Sequence, residues 1–365
     1  MFAPVILMGN QTSYFTRYVL LFSMLLLLAS CTKEGDTIYL PDPNEPTLST
    51  APLVTVVYDT EGVGDLGYND IIYAGVERAA AKHGLQTFQL TPTSLIEGQN
   101  YLDAAIQRMT SATDNIRRLL IVASPIYDDY IRKNNHRLAE SPNADLLYLE
   151  TRNPLDGKGS TLYLSYFGAM YEAGALSPYV AEKALVIGAN PKNESVATAI
   201  KGYSEGVESS KKRIELETVY LSQEAGGGFS IADTAALRLM NAFYKEDLQT
   251  LLVPICGGAS HTFGRLSHIS SSYCFLGIDR QSESSYYSPL SAVKHIDRAV
   301  AQCIDQWMSA EGMPKHQAFG LASGYTEVVL HPMDNDIKKS LETLSEEMKR
   351  QIHDEAVRKE GAYEK

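Results

Sequence analysis

The chain has 365 residues, with 32 Lys and Arg against 44 Asp and Glu, for a formal net charge of −12. That acidic balance, with no basic run longer than Lys211 to Arg213 and no helix-turn-helix signal, argues against a nucleic-acid-binding surface. The length suits two domains rather than one.

Residues 1–16 are uncharged, and Met8 is an alternative start. Arg17 precedes an apolar run over residues 18–28, too short to span a bilayer but suited to a signal-peptide core. The run ends in Leu28, Ala29, Ser30 and Cys31. Small residues before a cysteine at that place resemble the bacterial lipoprotein signal. The resemblance implies that residues 1–30 are cleaved and that Cys31 carries a diacylglyceryl group. Such a lipid holds a domain at a membrane surface without a spanning helix. The expected location is the cell envelope: the outer membrane facing the periplasm, or the cell membrane. Loss of Arg17 would take the charge from −12 to −13. Residues 31–52, with Pro41, Pro43, Pro46 and Pro52, read as a flexible tether.

Leu53 to Tyr58 is a β-branched apolar strand, of the kind buried on both faces. Gly62, Gly64 and Gly67 make a loop, Asn69 or Asp70 caps a helix to His83, and Gly84 ends it. Asp59, Asp65, Tyr68 and Asn69 thus stand at the carboxyl end of a first strand, where open α/β sheets bind ligands. The same residues also serve any tight strand-to-helix turn. Strands follow at Thr87–Leu90, Leu119–Ala123 and Asp145–Glu150, with helices at Asn100–Thr110 and Asp128–Ala139 between them. Ser124 lies at the end of the third strand. This βαβ alternation implies a parallel sheet with right-handed crossovers. Residues 153–159 read as a link between domains.

A second unit follows. Helices are expected at Tyr166–Ala181, Glu194–Ser209 and Ser230–Tyr244. Gly202 and Gly206 lie on a face of the second that is able to pack closely. Strands are expected at Ala184–Gly188, Ile214–Leu221, Leu251–Cys256 and Tyr273–Ile278, the last running into Asp279. Leu290–Met308 reads as a helix, Gln317–Leu321 and Glu327–Leu330 as a hairpin, and residues 334–361 as a charged helix packed on the outside. The fold class is therefore α/β, two doubly wound parallel-sheet domains joined by a hinge, an arrangement that resembles periplasmic-binding-protein type I. Residues 53–157 with 281–312 form the first domain, and 158–280 with 313–333 the second. Residues 334–365 are the terminal helix.

Cys256 and Cys274 fall at opposite ends of neighbouring strands, roughly 15 Å apart at about 3.3 Å per residue. That is beyond disulfide reach, so buried thiols are expected. The histidines show no paired ligand spacing, and neither a metal nor another cofactor is expected.

With two hinged domains and an export signal, the motifs resemble the basic membrane protein family, purine-nucleoside-binding lipoproteins that serve ABC importers. The family's first loop reads roughly Asp-x-Gly-Gly-x-Asp-Asp-x-Ser-Phe-Asn-Gln, with an aromatic and a Gly further along. Asp59, Gly62, Asp65, Tyr68, Asn69, Tyr73 and Gly75 fall in those places, with Gly67 for the Ser and Asp70 for the Gln. The Glu-Gly-Ser-Phe-Leu-Ala-Gly helix start is met loosely by Gly168 to Gly174. Gly257, Gly258, Ala259 and Ser260 stand for Gly-Gly-Thr-Gly. Gly277, Ile278, Asp279, Arg280 and Gln281 stand for Gly-Val-Asp-x-Asp-Gln, one residue short. Ser291 and Lys294 stand for Ser-x-x-Lys. The likeness runs in order from about residue 53 to 330.

The resemblance implies a small-molecule ligand, a purine nucleoside, closed between the domains, and an ABC permease as partner. Tyr68 and Tyr171 would stack on the base. Asn69 would read its edge. Asp59 or Asp279 would accept from ribose hydroxyls, and Lys294 would donate to the ribose or hold Asp279. The backbone at Gly257 and Gly258 would approach the ligand closely. Ser124 and Gln281 complete the expected ligand-binding set. A receptor that senses a nucleoside or sugar without feeding an importer fits the same residues. The chain reads as a binding protein rather than an enzyme. Asp59 to Asp65 is faintly similar to the calcium loop of nucleoside hydrolases, but Glu61 and Leu66 replace two of its Asp ligands. The one Gly-x-Ser-x-Gly run, Gly202 to Gly206, falls inside the helix expected over Glu194–Ser209 and not at the strand-to-helix turn that a nucleophile elbow needs.

Overall fold

The structure, a computed structural model, describes residues 50–245, 248–279, 288–331, 341 and 343–365. The expected signal segment, Cys31, most of the tether and Gln281 lie outside the described residues. Among the described residues, no helix is long and apolar enough to cross a membrane.

The chain from β1 onward builds two lobes, each on a six-stranded sheet. Lobe 1 begins with β1 (Leu53–Val57), α1 (Tyr68–His83), β2 (Gln86–Leu90), α2 (Leu95–Ser111), β3 (Arg118–Val122), α3 (Asp128–Asn134), β4 (Ala144–Leu149) and β5 (Ser160–Leu164). Lobe 2 follows with α4 (Phe167–Leu176), β6 (Lys183–Gly188), α5 (Glu194–Ser209), β7 (Glu215–Tyr220), α6 (Asp233–Phe243), β8 (Thr250–Ile255), α7 (Gly258–Leu266), β9 (Tyr273–Asp279) and β10 (Leu290–Lys294). The chain then returns for α8 (Ile296–Met308) and β11 (His316–Phe319) in lobe 1, and crosses again for β12 (Thr326–Leu330) in lobe 2. A last helix, α9 (Glu346–Tyr363), ends the molecule.

Sheet 1 runs β11-β5-β4-β3-β1-β2 and sheet 2 runs β12-β10-β9-β8-β6-β7. All pairings are parallel except β12 against β10. The central strands β3, β6 and β8 are buried along their whole length, because helices cover both sheet faces. One face of sheet 1 is covered by α1 and α8, through Ile72, Val76, Val300, Ile304 and Trp307. The indole of Trp307, the sole tryptophan, donates to Asp145 Oδ2 at 2.9 Å. Cys256, Cys274 and Cys303 are free, buried thiols.

Three expectations are corrected here. Residues 290–294 are a strand, not the start of a helix. Val293 continues the apolar spacing of α8, and a short apolar run does not reveal its own period. The expected hairpin does not form, since β11 pairs with β5 and β12 with β10, in different lobes. Gly320 and Gly324 look like a hairpin turn but lie in a crossing between lobes. Residues 153–159 are not the inter-lobe link. The first sheet continues through β5, and the chain leaves it after Leu164. Strand membership therefore puts β5, α8 and β11 in lobe 1, and β10 and β12 in lobe 2.

The close face expected on α5 is present against α4. A Cβ added at Gly174, Gly202 or Gly206 would lie 2.1, 2.4 or 2.0 Å from a backbone oxygen of the facing helix. Gly206→Ala should cost at least about 1–3 kcal/mol of stability by overpacking, read as a lowered urea midpoint. An unchanged midpoint would show that the helices separate freely.

Candidate functional site

The β1–α1 loop is organised by its own carboxylates. Asp59 Oδ1 accepts from the Glu61 and Gly62 amides at 3.0 and 3.3 Å, and from Asn69 Nδ2 at 2.8 Å. Asp65 accepts from the amides of Gly67, Asn69 and Asp70, so it caps α1 from before the helix. Asp70 reaches back to the Gly64 and Leu66 amides at 2.6 and 3.0 Å. Neither Asn69 nor Asp70 caps the helix by its side chain, as was expected of one of them. Gly84 does end α1, in the left-handed conformation.

Beside this loop the two sheets bring matching strand ends together. β4 and β9 hold the same place in their sheets, third from the β11 or β12 edge. Each runs into an acidic residue with positive φ: Glu150 at +60° and Asp279 at +65°. Residues other than glycine rarely adopt that conformation, and it marks strained positions near ligand sites. Lys294, at the end of β10, lies 2.9 Å from both carboxylate oxygens of Glu150, and both side chains are buried. Its ammonium sits over the rings of Tyr166 and Tyr68, at 5.5 and 6.0 Å. Tyr166, in the first crossing, donates its hydroxyl to the Ala292 carbonyl at 2.5 Å and accepts from the Asp279 amide at 2.9 Å.

No described residue hydrogen-bonds the Asp279 carboxylate. Burial pushes its carboxyl up to about 6; Lys294 opposes the shift, while Glu150 and Asp65 add to it. Burial also raises Asp59, against the hydrogen bond from Asn69.

These groups line a cavity of about 110 Å³ between the lobes, several times what one water needs. Of the expected site residues, Asp59, Tyr68, Ser124, Gly257, Gly258, Asp279 and Lys294 line it. Asn69 does not: it is buried behind the loop, its amide spent on Asp59 and Asp65. Tyr171 is also away from the cavity, buried with Phe167, Leu321 and Ala356 near α9. Gly257 has φ +55°, and a Cβ there would sit 3.0 Å from the Phe229 ring, so the glycines admit that aromatic. Glu150, Tyr166 and Phe229 line the cavity and escaped sequence reasoning. Glu150 and Tyr166 were within reach of the rule that ligands gather at strand carboxyl ends. Phe229 is brought in by a loop whose path leaves no local signal. Among the described residues, no group of three or more His, Cys, Asp or Glu is placed to hold a metal ion.

No protein-family model and no curated protein sequence matches the chain. Solved structures do. An ABC transporter system solute-binding protein from Aeropyrum pernix K1 is 18% identical over 86% of this chain and 90% of its own, with TM-score 0.62. A transcriptional activator of the comK gene from Bacillus halodurans is 14% identical over 84% and 96%, also at 0.62. The substrate-binding protein of a sugar ABC transport system from Bordetella parapertussis 12822 is 14% identical over 77% and 89%, at 0.52. The chain has the two-domain α/β fold of periplasmic-binding-protein type I.

Proposed function

We propose that the chain is a lipid-tethered solute receptor of the basic membrane protein type, which encloses a purine nucleoside between its lobes for an ABC importer. The observation that carries this reading is the charge and shape of the cavity. Asp59, Glu150 and Asp279 present acceptors, and the one ammonium on its lining is already paired with Glu150. A ligand that brings hydroxyl donors suits that wall, and a phosphate does not. Tyr68 and Ile126 from lobe 1, with Phe229 and Ile278 from lobe 2, offer apolar surface to a flat base. The ordered motif likeness supports the family, and the likeness to solute-binding proteins of ABC transport systems supports capture for transport. The lipoprotein signal before Cys31 supports the tether. A sugar is the second reading, favoured by the number of carboxylate acceptors.

Thermal unfolding of the chain without residues 1–31 tests the ligand. Inosine, guanosine or adenosine at 100 times its dissociation constant should add about 2.7 kcal/mol of stability. A response to simple sugars with none to any nucleoside would overturn the purine assignment. Free base released in those samples would instead indicate a hydrolase.

The cavity wall holds Asp279 at a cost that a hydroxyl donor on the ligand would offset. Its carboxyl is raised from 3.8 to about 6 on folding. The native state therefore binds more protons than the unfolded chain between those values, and stability falls as pH rises through that window. Asp279→Asn removes this cost, and Asn also tolerates the positive φ better. The variant should gain about 2–3 kcal/mol at pH 7, shrinking to a small remainder by about pH 4, while losing ligand response. Urea unfolding at both pH values checks this; an equal gain at both would show that Asp279 ionises normally.

A further inference from the structure

The last helix does more than cover the outside of the molecule. Its body rides on lobe 2. His353 Nδ1 is 2.9 Å from Glu172 of α4, Lys359 pairs with Glu205 of α5 at 3.7 Å, and Met348 and Ile352 pack on the lobe 2 core. Its final turn reaches the crossings. The buried Glu360 carboxylate accepts from the Gly168 amide at 3.0 Å, just past the first crossing, and from the Leu321 amide at 2.8 Å, in the third. Both approaches need glycine: a Cβ at Gly168 or Gly320 would lie 2.8 or 2.5 Å from a Glu360 oxygen. Tyr363 stacks on Phe167 with ring centres 4.4 Å apart, and Glu364 accepts from Ser165 Oγ at 2.6 Å.

The same turn also holds lobe 1. Arg152, two residues past Glu150, reaches Glu364 at 3.3 Å and lies over the Tyr363 ring at 4.6 Å. It also reaches Glu194 and Thr198 of α5, both at 3.2 Å. A helix that only added stability had no need to spend a buried carboxylate on the backbone of two separate crossings. We infer that the final turn of α9 is a strap across the crossings. With Arg152 as its buckle on lobe 1, it sets the angle between the lobes and keeps them together before ligand arrives. Opening must break the Arg152 contacts, so the strap preorganises the cavity and limits how wide it gapes.

The inference does not rest on the identity of the ligand, and its test uses none. Spin labels at Ile96→Cys and Glu224→Cys, both exposed, stand at the cavity-facing ends of the two lobes. In the chain with Cys31→Ala, their separation is measured by pulsed dipolar spectroscopy. The parent should give one narrow distribution. Arg152→Ala with Glu364→Gln should shift it outward by several ångströms and broaden it. Glu364→Gln alone, which can still accept from Ser165, should give a smaller shift in the same direction, with unchanged circular dichroism showing that it is folded. A parent already open and broad, or folded variants whose distributions overlay the parent, would overturn the strap.

Discussion

One buried ammonium group sets the terms for the centre of this molecule. Lys294 ends a lobe 2 strand at the point where the chain turns back to lobe 1, and its partner Glu150 ends a lobe 1 strand. Removing two charges from water is costly, and their attraction offsets that cost only with close geometry and further support. Here the support is two tyrosine faces and a bidentate approach. Without the cation, Glu150, Asp279, Asp59 and Asp65 would crowd one region with like charge. With it, they can share a cavity wall, though Asp279 remains uncomfortable. The wall of this cavity is therefore polarised, with more acceptors than donors among its charged side chains.

The sheet architecture was legible because parallel strands buried on both faces write long apolar runs, and those runs alternate with amphipathic helices. The loop after β1 was legible for the same reason: glycines and carboxylates cluster where a strand hands over to a helix. The region from 290 to 330 was not. Its segments are short, and each is assigned to a lobe by partners far away in sequence. β10 gains its strand character from lying between β9 and β12, a tertiary fact with no local period. Asn69 and Tyr171 were placed in the site by motif position, yet one is held behind the loop by Asp59 and Asp65 and the other is claimed by α9. Glu150 was visible as a strand end, but its role depends on Lys294, which lies 144 residues further on.

Three crossings also fix the order in which the lobes can be finished. The face of sheet 1 that buries Trp307 is closed by α8, and its edge is completed by β11, both made after nearly all of lobe 2. A nascent chain that has supplied β1 through β5 therefore holds only a partial first lobe, with one sheet face covered by α1 alone. Contacts this distant in sequence are slow to form. The first lobe of such a polypeptide stays incomplete until nearly all of the second has been made.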